Sequence, residues 1–132
     1  MNTQNLAALA GRILIAVIFL MSGLDKIIHY SGTLGYMAKA GLPFTEGLLV
    51  ASILVEIGCG VALVAGWKTR WAAALLFLWM IPVTAVFHNP VVAGAAVQEQ
   101  MVHLMKNLAI MGGMLLLVAF GPGAWSADRL AR

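Results

Sequence analysis

The sequence predicts an all-α integral membrane protein, a four-helix bundle in a single domain over residues 1–132, and three observations lead there. Of 132 residues, 62% are hydrophobic and only 10% are charged, with a mean hydropathy of +0.96, more apolar surface than a soluble core of this size can hide. Four apolar stretches are long enough to cross a hydrocarbon layer of about 30 Å. Two ionisable side chains, Glu56 and Arg12, stand inside those stretches, where each is costly unless it is paired or faces a polar cavity.

The first helix is expected over residues 6–24. Arg12 and the apolar run after it resemble the start of a signal peptide, but no small-x-small cleavage site follows and Asp25 and Lys26 come at once, so the helix is read as retained. Next, Ser31 is placed to cap a short interfacial helix through Ala40, stopped by Gly41 and Pro43, with Leu34, Tyr36 and Met37 on the outer surface. The second spanning helix, residues 47–65, carries Glu56 and the lone Cys59, which offers neither a disulfide nor a dithiol. Gly58, Ala62 and Gly66 recur every fourth residue and predict a close helix seam, within the bundle or in a homodimer. Gly60, one turn beyond Glu56, leaves room beside the carboxylate for another side chain or a ligand.

A tight turn at residues 66–70 leads to the third helix, 71–87, which Pro82 should kink, freeing a carbonyl one turn earlier. The fourth helix is expected over 96–120, starting well before Leu104. There Glu99, His103 and Lys106 follow i, i+4, i+7 spacing and form a polar stripe, read for Glu99 and His103 chiefly as a solvated face. Gly121, Pro122 and Gly123 end that helix, leaving a tail at the inner surface.

Four spans put both termini on one side. That side holds Arg12, Lys68, Arg70, Arg129 and Arg132, against Lys26, Lys39 and Lys106 on the other, so both termini are expected to be cytoplasmic. Trp67, Trp71 and Trp125 gather at the same interface, as an aromatic belt does. Rise per residue leaves Arg12 and Glu56 roughly 6 Å apart in depth, within reach of an arginine side chain. Such a pair would either serve a site or only hold the bundle's register; alternatively Arg12 snorkels inward and Glu56 stays protonated. Asp25, Lys26, His88, Lys106 and Asn107 all fall at the outer ends of helices and could converge on one pocket.

Several chemistries find no residues to support them. His29, His88 and His103 all map near the outer boundary, too shallow for a bis-histidine haem between the helices. Phosphate-binding glycine loops, nucleophile elbows and Cys/His metal spacings are missing from the sequence. The net charge of +3 reflects juxtamembrane lysines and arginines and gives no reason to invoke nucleic acid.

Taken in order, Arg12 with Ser22, Gly23 and Lys26; Gly41, Leu42 and Pro43; Glu56 before Gly58 to Gly66; Thr69 and Arg70; Phe87 and His88; and Lys106, Asn107, Leu108 and Ala109 before Gly112 and Gly113 form a familiar series. It resembles the DoxX family of small four-helix membrane proteins over nearly the whole chain. The resemblance implies an inner-membrane protein. Its relatives include the quinone-reducing membrane subunit of an archaeal thiosulfate:quinone oxidoreductase and a membrane partner of superoxide dismutase and a sulfurtransferase. This chain has only the common four-helix core.

Resemblance and residue chemistry coincide on Arg12, Lys26, Glu56, His88, Lys106 and Asn107. The expected function is a redox-linked subunit, the membrane part of an oxidoreductase, binding a quinone or a small sulphur anion between its helices. Arg12, Lys26, Lys106 and Asn107 would hold the ligand's oxygens, and Glu56 or His88 would accept protons. No intrinsic cofactor or metal is expected. The partners would be membrane lipid, soluble redox proteins and a second copy of the chain. Two other functions are compatible with the residues: a small transporter with Glu56 as its proton-coupled group, and a non-catalytic scaffold that recruits soluble partners through residues 66–70 and 124–132.

Overall fold

In the computed structural model, which describes residues 2–92 and 94–131, the four expected spans form; the first three begin two or three residues before their expected starts and the fourth one residue after its own. α1 runs Thr3–Ile28, capped by the Asn2 side chain, which accepts from the Gln4 N–H at 3.0 Å. At about 1.5 Å per residue its 26 residues span about 39 Å, more than a bilayer core, so Ser22, Asp25 and Lys26 belong to its helical face and not to a loop beyond it. α3 (Thr45–Ala65) ends at Gly66, whose φ of 69° lets its N–H and that of Trp67 return to carbonyls of the last turn. α4 (Thr69–Phe87) contains Pro82, and α5 (Val97–Phe120) follows two short 3-10 turns, Pro90–Val92 and Gly94–Ala96. α6 (Ala127–Leu130) closes the described tail, and Arg132, counted above among the inner charges, lies outside the described residues.

α2 (Tyr30–Lys39) departs from the expected interfacial helix. It begins one residue after α1, with His29 as its N-cap and Ser31 already inside it. Met37 is buried, and the Tyr36 ring stacks on Phe87 at the end of α4, centroids 5.4 Å apart. The segment therefore folds across the end of the bundle and buries Met37, while Tyr36 stays 59% exposed as it stacks on Phe87.

α1 packs chiefly on α3 and α4 on α5, with α3 and α4 joining the two pairs. Ala16, Phe19, Leu63, Ala73, Leu76, Met114 and Leu117 fill the centre. Within the bundle the close seam lies elsewhere than predicted. A Cβ on Gly60 would come within 2.7 Å of Leu20, and one on Gly23 within 2.7 Å of Ile57, whereas Gly58 faces open space. The gap expected beside Glu56 is thus filled by Leu20, and Gly66 is the helix stop against which Ser126 sits. Among the described residues four helices are long and apolar enough to cross a membrane, and exposed Leu14, Leu54, Trp71 and Phe120 supply a lipid-facing surface.

Candidate functional site

At the end of the bundle away from the termini, side chains of α1 to α5 enclose a cavity of about 630 Å³. Its polar base is built from two helical i, i+4 pairs that meet. On α1, Lys26 Nζ donates to Ser22 Oγ at 2.6 Å; on α3, Ser52 Oγ donates to Glu56 Oε1 at 3.1 Å. Lys26 Nζ then donates to Glu56 Oε2 at 3.0 Å, joining the helices, with the Glu56 side chain 7% exposed and that of Lys26 21%. This is an electroneutral chain of four groups. An ammonium has three N–H bonds, so two are occupied and the third is left for the cavity.

Above that base the walls are mainly apolar: Phe19, Met37, Leu48, Met80, Val83 and Ile110 take part, with Pro82 on the α4 side. Trp79 also lines the cavity, and its indole Nε1 is buried without a hydrogen-bond partner. Asn107 of α5 lies against α4, donating Nδ2–H to Thr84 Oγ1 at 3.0 Å. Nearer the mouth, His88 shares a 3.1 Å hydrogen bond with Gln100 and stacks on His103 at 4.9 Å, and Lys106 Nζ sits 3.5 Å from Nδ1 of His103, one turn earlier on α5. An exposed Asp25–His29 pair, 2.9 Å apart, completes the rim. Outside the spans, desolvation first, with the Glu46 charge adding, pushes the Tyr30 phenol above the ordinary range.

Lys26, Glu56, His88, Lys106 and Asn107, picked from the sequence, all line this cavity. Arg12 does not. The expected Arg12–Glu56 pair is absent because each has a nearer partner. The Arg12 guanidinium, 1% exposed, donates to the carbonyls of Pro122, Trp125 (2.9 Å) and Val64 (3.3 Å), where the tail tucks under α1 and α3. Glu56 takes Lys26 because α1 stays helical through Ile28 and turns that lysine inward. Sequence reasoning missed Ser52 and the partnering role of Ser22, although spacing of four from Glu56 and from Lys26 marks both. It also missed Gln100 and the ring contact that draws His103 toward His88. Among the described residues no group of three or more His, Cys, Asp or Glu side chains is placed to hold a metal ion.

Comparison with known proteins gives one family and several relatives. The DoxX family profile matches residues 7–89. The chain is similar to inner membrane protein YqjF of Escherichia coli (strain K12), 37% identical over 127 residues, covering 96% of this chain and 93% of that protein. It is 33% identical to inner membrane protein YphA of the same organism, over 92% of this chain and 87% of the relative. The uncharacterized membrane protein Rv3486 of Mycobacterium tuberculosis (strain ATCC 25618 / H37Rv) is 29% identical over 89% of this chain and 77% of its own length. No solved structure gives a significant match.

Proposed function

The chain belongs to the DoxX family and is a multi-pass inner-membrane protein, and from that premise we propose that it is a redox-linked membrane subunit whose cavity holds the head group of a quinone. The observation that supports this most is the combination of an apolar-walled space of about 630 Å³ with a buried, electroneutral Lys26–Glu56 pair at its base. Space of that size suits a small ring-bearing ligand, and a few convergent polar groups are what orient such a ligand.

The residues fit a quinone. Its ring needs apolar contact and its two carbonyls need donors. The third Lys26 N–H is one donor, and Trp79, with an unpartnered indole N–H, is a second side chain in the same wall. When bound, a quinone supplies two-electron, two-proton redox chemistry. The chain's own part is to exclude water with Phe19, Met80 and Val83, to orient a carbonyl oxygen at Lys26 Nζ, and to hold a proton at Glu56 Oε2 or His88. A small sulphur anion would leave those apolar walls without contacts, which favours the quinone.

In the purified protein, reconstituted in lipid nanodiscs, 2-methyl-1,4-naphthoquinone should bind saturably at one site, and Lys26→Met should weaken it about tenfold, as expected for one hydrogen bond to a charged donor. Wild-type protein that takes up no quinone above the amount dissolved in empty nanodiscs overturns the proposal.

A further inference from the structure

Lys26 and Glu56 are arranged so that they can part. Each has a second partner on its own helix: Ser22 Oγ holds the ammonium at 2.6 Å, and Ser52 Oγ lies 3.1 Å from Glu56 Oε1. A serine hydroxyl can donate to a carboxylate or accept from a carboxylic acid, so Ser52 suits either protonation state. Both border the cavity, and Lys26 is the more exposed member.

We infer that the pair is an exchange site for acidic ligands, in which an anionic oxygen takes the place of the Glu56 carboxylate on Lys26 and Glu56 takes up one proton from water. The inference rests on the cavity being a ligand site, as proposed above, and adds the class of ligand and the proton that must accompany it. No bond between heavy atoms changes: one salt bridge is replaced by another, and a proton moves from the aqueous phase to Glu56 Oε2.

The charge balance requires the proton. At this depth an ionised carboxylate deprived of the ammonium that pairs with it is strongly disfavoured against its neutral form. The other titratable groups bordering the cavity do not replace Lys26, and Tyr36 of α2, stacked on Phe87, brings no cation. Asp25 and His29 of α1 already pair with each other at the rim. His88 at the end of α4 is engaged by Gln100 and the His103 ring. Lys106 of α5 is exposed and stands toward His103. Its positive charge attracts an anion into the mouth without reaching the base. A neutral quinone needs no exchange, since its carbonyl takes the free third N–H of Lys26.

Two naphthoquinones of nearly the same shape separate these cases: 2-methyl-1,4-naphthoquinone, which is neutral, and its 2-hydroxy analogue, which is ionised at neutral pH. Weakly buffered nanodiscs with a pH indicator should show about one proton taken up per 2-hydroxy compound bound and none for the methyl compound. The affinity for the hydroxy compound should fall about tenfold per unit rise in pH above neutrality, while that of the methyl compound stays flat. In Glu56→Gln the hydroxy compound should bind without proton uptake and with a flat pH profile, which assigns the proton to Glu56 and not to His29 or His88. Wild-type protein that binds the hydroxy compound with no proton uptake overturns the inference while leaving the quinone proposal standing. If 1-naphthoate binds with proton uptake and the methyl compound does not bind, the quinone proposal falls and the exchange survives. If none of the three binds, both fall.

Discussion

Arg12 and Glu56 are both charges inside apolar helices, yet the structure gives them unlike surroundings. Arg12 is held by three backbone carbonyls and lies near enough to Asp128 to feel its charge, whereas Glu56 belongs to a side-chain network around a cavity. Arg12→Leu should therefore lower stability by about 3 kcal/mol or more, because three carbonyls lose a charged donor at once. Thermal unfolding in detergent measures it. The same experiment tests the partners. Losses from Arg12→Leu and Glu56→Leu should add within about 0.5 kcal/mol, since the two residues share no bond. By contrast Lys26→Leu combined with Glu56→Leu should be less damaging than Glu56→Leu alone, which strands an ammonium. That both charges matter was legible from hydropathy alone. Their partners were not, because depth along the membrane normal is one coordinate, and pairing also depends on rotation about each helix axis and on where the tail folds.

At the scale of elements, α3 shows the same division. Its length, its glycine stop and its small residues were all readable, but which small residue touches another helix depends on how α1 is rotated against it. Gly60→Ala should cost about 1–3 kcal/mol, since a Cβ 2.7 Å from Leu20 forces that side chain off its rotamer. Gly58→Ala, facing open space, should instead stabilise the helix by about 0.5–1 kcal/mol. Thermal shifts of opposite sign for these two alanines are the expected result, and equal losses would put the seam back on Gly58. α2 was legible as a short helix stopped at Gly41. Its burial of Met37 was not, since an apolar face suits a membrane surface and the end of a bundle equally well. At the other end Asp128 accepts from the Lys68 and Thr69 N–H groups at 2.6 and 2.9 Å and so caps α4 from the tail. Asp128→Ala should cost about 1 kcal/mol by the same thermal measurement.

For the whole molecule, four spans with both termini at one end follow from composition and helix count, and that much was plain in the sequence. The distribution of Lys and Arg predicts that this end faces the cytoplasm. A fluorescent protein fused after Arg132 should glow, and alkaline phosphatase fused there should be inactive. The reverse pattern would place the cavity mouth on the cytoplasmic side, so the proton taken up by Glu56 would be drawn from the cell interior.

The hold of the tail on Arg12 has a consequence for the order in which the molecule is made. Arg12 enters the membrane with the first helix, but its acceptors at Pro122 and Trp125 lie 110 and 113 residues later in the chain. Throughout insertion the guanidinium must find temporary relief in water or at the translocation machinery. The contacts with Pro122 and Trp125 can form only after that later segment has been made. A ribosome stalled before Pro122 would hold a nascent chain that is already membrane-inserted yet vulnerable to membrane proteases, and protection would appear abruptly once the tail has emerged.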